Sequence, residues 1–82
     1  MSKAEIIEKL SVVFQDVFDD STIEIQPQTC SDDIDDWDSL AQISLIAAIE
    51  DEFGIRFDIK TALHLKTVGE LADAIEAVMR QQ

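Results

Sequence analysis

The stretch DDIDDWDSLAQISLIAAIEDEFG, residues 32–54, decides how this chain folds. Its opening holds five aspartates, one tryptophan and a single serine, Ser39, and the chain turns apolar directly after that serine. Leu40, Ile43, Leu45, Ile46, Ala47, Ala48, Ile49 and Phe53 fill more than one narrow stripe. That pattern predicts a helix over about 40–53 that packs against several neighbours at once. Gly54 supplies its stop, because glycine enters the left-handed conformation without a Cβ penalty. Ser39-x-x-Gln42 matches a capping box, so the spacing predicts Ser39 as the N-cap of this helix.

Working outward, Ile6, Leu10, Val13, Phe14 and Val17 recur at three and four residues and predict a first helix over 3–18, capped by Ser2-x-x-Glu5. A long loop over 19–37 contains the only proline, Pro27, among polar residues without period. Ile23, Ile25 and Ile34 are expected to fold back over the core, with Thr22 to Ile25 a candidate strand that lacks an evident partner. A short third helix fits Ile59 to Leu65. A fourth starts at Thr67-x-x-Glu70 and carries Val68, Leu71, Ala72, Ile75, Val78 and Met79 on one face. The fold class is therefore all-α: a small four-helix bundle with a long loop between its first two helices and a short third helix. Residues 1–82 are expected to form one domain.

An 82-residue chain has a limited core, and one cysteine, Cys30, gives no disulfide within it. Cys30 reads as a small apolar loop residue, since no neighbouring base or cation would activate its thiol. No signal-peptide pattern and no apolar run of spanning length is present, so a cytoplasmic location is expected. Charge narrows the partners. There are 18 acidic residues against six basic ones, net −12, and residues 10–55 hold 12 acids and no base. Nucleic acid and anionic membrane are disfavoured. Proteins with basic docking surfaces are favoured, because such a field speeds and orients encounter.

Ser39 lacks the surroundings of a catalytic nucleophile. A serine hydroxyl needs an adjacent base, the only histidine is His64, and no Gly-x-Ser-x-Gly elbow is present. The chain is not expected to be an enzyme. Calcium fails on spacing: a loop begun at Asp33 puts Trp37 and Ser44 where ligands should stand, and no glycine precedes Gly54. What remains is a serine that another enzyme modifies, at a helix start ringed by charge.

Asp38-Ser39-Leu40, the apolar helix after it, the run Glu50-Asp51-Glu52-Phe53 and Leu65-x-Thr67-Val68 at the last helix together resemble the acyl carrier protein family over essentially the whole chain. The resemblance implies that Ser39 receives a 4′-phosphopantetheine arm from coenzyme A, with Asp38 and Leu40 presenting the motif. The arm's thiol would carry acyl groups as thioesters, making the chain a phosphoprotein carrier. Partners would be a phosphopantetheinyl transferase and acyl-loading and acyl-processing enzymes, meeting a monomer at Asp35, Asp36, Trp37, Ile43, Glu50, Asp51 and Glu52. Ile43, Ile46, Ala47, Phe53, Ile59, Leu63 and Val68 are the acyl-pocket candidates. No metal is implied.

The chain also departs from the fatty-acid type of that family. Ala41 and Ser44 stand where acids are usual, and Arg56, Lys60, His64 and Lys66 make the third-helix region basic. Trp37 directly before the motif, with Ile34 three residues earlier, looks more like free-standing carriers of polyketide or related specialised pathways. Trp37 itself has two readings: a contact for arm or partner, or a ring packed against the bundle. Two other functions compete. One is an aminoacyl or peptidyl carrier. The other is an acidic helical adaptor that binds a basic protein through charge alone, with Ser39 only a cap.

Overall fold

A computed structural model describes residues 2–80. Four helices follow in order: α1 (Lys3–Val17), α2 (Ser39–Phe53), α3 (Ile59–Ala62) and α4 (Val68–Arg80), with one 3-10 turn at Ser31–Asp33. The all-α bundle expected from apolar spacing is the fold observed. No helix among the described residues is long and apolar enough to cross a membrane.

The first helix is the hub, packed on α4 and on α2. Its predicted stripe is the buried one: Ile6, Leu10, Val13 and Phe14. The amide of Glu5 donates to Ser2 Oγ at 3.3 Å, which caps the helix start. At the other end Phe18 is the cap and Asp19 takes φ +50°, a left-handed turn that aspartate tolerates better than most residues. Leu45, Ile46 and Ile49 from α2 and Val68, Leu71, Ala72 and Ile75 from α4 complete the dry interior. Each large side chain wholly buried there contributes about 1.5–3 kcal/mol relative to exposure.

The loop after α1 forms no strand at Thr22 to Ile25, because no second strand is available to pair with it. Its order comes instead from the head of α4. A helix start leaves several backbone N–H groups without intrahelical partners. Here Val68 N–H donates to Thr29 O and Gly69 N–H to Pro27 O, both at 2.8 Å, while Ser31 N–H returns to Lys66 O at 3.0 Å. Cys30 and Thr67 form an isolated antiparallel bridge in the same place. Gly69 has a specific role: a Cβ at that position would stand 2.9 Å from Pro27 O. Glycine in the first turn of α4 is what lets the loop backbone come that close. Ile23, Ile25 and Ile34 then fold onto the core, partly buried, as expected.

The end of α2 is built as the sequence suggests. Gly54 adopts φ +65° and its N–H donates to Glu50 O. The Glu50 carboxylate accepts the Phe57 N–H at 2.8 Å, fastening the turn into α3. The third helix is shorter than the expected 59–65. After Leu63 the bonds tighten to His64 N–H on Thr61 O and Leu65 N–H on Ala62 O, so the segment ends as a turn. Thr67 caps α4, accepting Glu70 N–H and donating to Glu70 Oε1, both at 3.1 Å.

Candidate functional site

The head of α2 differs in one respect from the capping box predicted for it. Asp38, not Ser39, is the N-cap: its Oδ1 accepts the Ala41 N–H at 2.8 Å, and its carbonyl accepts Gln42 N–H at 2.8 Å. Ser39 is the first helical residue and is exposed. An ionised carboxylate is at least as good a cap as a hydroxyl and also meets the positive end of the helix dipole. The consequence is chemical: capping is done by the neighbour, so the Ser39 hydroxyl has no structural task to perform.

Gln42, predicted to complete that box, is instead buried, with 6% of its surface exposed. Its Oε1 accepts the Trp37 indole N–H at 2.6 Å, and its Nε2 donates to Ala62 O at 2.8 Å and Leu65 O at 2.9 Å. One carboxamide therefore ties together the residue two before Ser39, the body of α2 and the far end of α3. A signal for this was present in the sequence. Gln42, Leu45, Ile46 and Ile49 follow helical spacing, which puts a polar residue on the buried face and obliges it to find partners.

Trp37 takes the second of its two readings. It is buried and meets Phe14 edge-on, with ring centroids 5.1 Å apart and planes at 82°. Its ring is thus part of the core and leaves the set of exposed partner contacts, since an aromatic of that area gains more from burial than from display.

Beside Ser39 lies an open cleft of ≈ 360 Å³ lined by Ser31, Trp37, Asp38, Gln42, Ile43, Leu63, Leu65 and Lys66. Of the seven acyl-pocket candidates, Ile43 and Leu63 face it. Ile46 and Val68 do not: both are sealed in the core cluster that α1, α2 and α4 share. Ala47 lines a separate hollow at the end of α2 with Glu50, Asp51 and Arg56. Phe53 is partly buried, with Lys9 Nζ 5.8 Å from its ring centroid, and Ile59 is exposed on α3. Leu65 and Lys66, absent from the pocket candidates, also line the cleft, just past the early end of α3.

The acids also divide. Asp35, Asp36, Asp51 and Glu52 are exposed, whereas Glu50 is partly buried and engaged with Phe57. Both ion pairs among the described residues, Lys3 with Asp73 at 2.9 Å and Arg80 with Glu76 at 2.6 Å, lie outside 10–55. The negative field around Ser39 is therefore not neutralised by ion pairing within the described residues. No cluster of three or more ligating side chains suited to a metal occurs among them.

The fold and site define a small helical bundle that displays an exposed serine at the head of its second helix. Residues 8–75 match the model of the phosphopantetheine attachment site family. The acyl carrier protein of Acidothermus cellulolyticus is 35% identical over 75 residues, spanning 92% of this chain and 89% of that protein. That of Myxococcus xanthus is 31% identical over 74 residues, 90% and 94% of the two chains. In three dimensions the holo acyl carrier protein of Geobacter metallireducens, solved by NMR in solution, superposes with a TM-score of 0.83 at 36% identity, covering 92% of this chain and 86% of that one.

This chain belongs to the acyl carrier protein family. It is a carrier and not an enzyme, it bears a covalent phosphopantetheine group, and its partners include a phosphopantetheinyl transferase and acyl-processing enzymes. The adaptor reading, in which Ser39 is a cap and nothing more, loses on both counts: the family is that of a carrier, and the cap is Asp38.

Proposed function

We propose that Ser39 is the residue that bears the arm and that acyl cargo travels on it through polyketide or related specialised biosynthesis. One observation carries the attachment reading: Ser39 is an exposed first-turn residue at the mouth of a cleft, and its hydroxyl is spared the capping task. The surroundings fit a phosphodiester. The head of α2 presents the positive end of its dipole. Lys66 adds a cation on the cleft wall. The arm supplies the thiol on which acyl groups ride as thioesters, and the protein's own contribution is presentation. Asp38 caps the first turn, which holds the backbone that presents Ser39. The transferase provides the base, since the neighbouring Asp38 carboxylate is engaged as the helix cap.

Docking follows from what surrounds the hydroxyl. Of the five large apolar residues exposed among the described residues, Leu40 follows Ser39 directly, Ile43 and Leu63 line the cleft beside it, Ile59 lies at the start of α3, and Val12 lies on α1. Apolar contacts framed by Asp35, Asp36, Asp51 and Glu52 suit a partner whose own surface is apolar at its centre and basic at its rim. The pathway reading rests on Ser44, exposed where fatty-acid carriers have an acid, and on the exposed bases Lys60, His64 and Lys66. Relatives that carry acyl groups favour this over an aminoacyl cargo. The chain then acts as a single-domain monomer in the cytoplasm.

Incubation of the apo protein with coenzyme A and a promiscuous phosphopantetheinyl transferase tests attachment. The intact mass should rise by one phosphopantetheine in the unaltered protein and stay constant in Ser39→Ala. A gain in the variant would move the site elsewhere.

A further inference from the structure

One side chain of α2, Gln42, supplies the hydrogen bonds across the seam to the α3 segment. Gln42 uses both amide hydrogens on carbonyls of the α3 segment, Ala62 O and Leu65 O, and its oxygen on the Trp37 indole. Every buried side-chain nitrogen and oxygen among the described residues has a partner. Ile46, one helical turn after Gln42, and Ala62 and Val68 are between 0% and 2% exposed and belong to the core cluster. Any acyl chain that passed from the open cleft into the interior would have to part α3 from α2, and so break the two bonds that Gln42 makes to α3.

We propose that Gln42 keeps acyl cargo out of the protein interior and thereby restricts this carrier to short acyl groups displayed in the open cleft. This rests on Ser39 as the attachment point. The magnitudes decide it. Opening the seam strands three polar groups, the Gln42 amide and the carbonyls of Ala62 and Leu65, each lowering the open population about tenfold, roughly a thousandfold together. Each methylene moved from water into the interior returns about fourfold. Roughly five buried methylenes are needed before entry breaks even, and that is before any core side chain is displaced to make room. Acetyl and butyryl groups fall short, and hexanoyl, with four methylenes and a methyl, only breaks even before that displacement is counted. They stay in the cleft against Ile43 and Leu63, within reach of partner enzymes without any unlocking step. Gln42 acts here as a specificity-determining residue through the position it gives α3.

The test loads acetyl, butyryl and hexanoyl arms from the matching acyl-coenzyme A and checks each attachment by intact mass. Cleavage by hydroxylamine is then timed relative to the free acyl-pantetheine of the same length. The proposal expects the normalised rate to be the same for acetyl and hexanoyl within about twofold, less than one buried methylene would give. It also expects the methyl resonances of Ile46 and Val68 to coincide in the two forms. In Gln42→Met the two carbonyls are already without their donors in the closed state, so opening no longer forfeits those bonds. Hexanoyl cleavage should then slow by at least about fourfold relative to acetyl. Hexanoyl protection in the unaltered protein, with shifted Ile46 and Val68 methyls, would overturn the proposal, as would a folded Gln42→Met that protects nothing. Should that variant not fold, the series in the unaltered protein decides alone. Absence of any mass gain would strike the attachment reading itself, which distinguishes the two failures.

Discussion

The two sides of α2 are held by opposite means. Toward α1 and α4 it presents Leu45, Ile46 and Ile49 to an interior of aliphatic side chains and Phe14, with no polar atom required for closure. Toward α3 it depends on the Gln42 carboxamide and two carbonyls, with Ile43 and Leu63 left half in water. Apolar packing is strong and non-directional, so it secures the bundle without caring much about exact register. Hydrogen bonds add little net stability but penalise any arrangement that leaves a partner stranded. The first seam therefore sets how stable the protein is, and the second sets what is allowed to part it.

The contrast can be broken most forcefully on the apolar side. Phe14 is wholly buried and touches the rings of both Phe18 and Trp37. Phe14→Ala should cost about 3–5 kcal/mol in denaturant unfolding. A loss below about 1 kcal/mol would mean that the α1 face is not what holds the bundle. Next in size is the loop anchor. Gly69→Ala forces a methyl to within 2.9 Å of Pro27 O, so a loss of about 1–3 kcal/mol is expected, with faster amide exchange at Val68 and Gly69.

Changes around Ser39 should be smaller and of a different kind. Asp38→Ala removes the cap bond to Ala41 and should cost about 1 kcal/mol, while transferase loading of Ser39 slows because the first turn frays. Asp38→Asn, which keeps a capping oxygen, should recover most of the stability. If Asp38→Ala proves neutral in both stability and loading, the division of labour between the two residues is wrong. Leu40, 77% exposed, has almost no packing to lose, so Leu40→Ala should change stability by no more than about 0.5 kcal/mol. Its effect should fall on the KM for the transferase, and an unchanged KM would remove Leu40 from the docking surface.

The smallest effect is electrostatic. Hydrogen bonds from the Thr22 hydroxyl at 2.6 Å and the Thr22 backbone N–H at 2.9 Å hold the Asp20 carboxyl below its ordinary value of 3.8, with slight desolvation opposing them. A group whose folded value is depressed stabilises the fold above its unfolded value, and that stabilisation fades as pH falls through the folded one. Replacing Thr22 with Val should therefore lower stability slightly at neutral pH. The difference should shrink below about pH 4 as the unaltered protein also binds the proton. A difference that stays constant down to acid would assign it to packing instead.

Much of this was legible in the chain. Periodicity located all four helices, because burial of one face imposes a spacing that survives in one dimension. Thr67 and Ser2 were recognisable caps, and Gly54 a stop, because each acts on atoms within a few residues of itself. The misassignment at Ser39 had a local cause: Asp38 and Ser39 are both good caps, and spacing alone does not rank neighbours. The lost strand and the early end of α3 had a different cause, as did the choice between the two Trp37 readings, since each was decided by partners many residues away.

By itself, then, the sequence determined the helices, the charge field and the exposed serine within it, all consequences of short-range backbone chemistry and of composition. Only the tertiary structure decided which pocket candidates are sealed, that Gln42 bridges residues 20 and 23 positions downstream, and that the loop is pinned at Gly69. The physical reason is one of distance along the chain. A cap or a stripe is satisfied within a turn or two, whereas a buried carboxamide takes whichever donors and acceptors the packed helices bring to it.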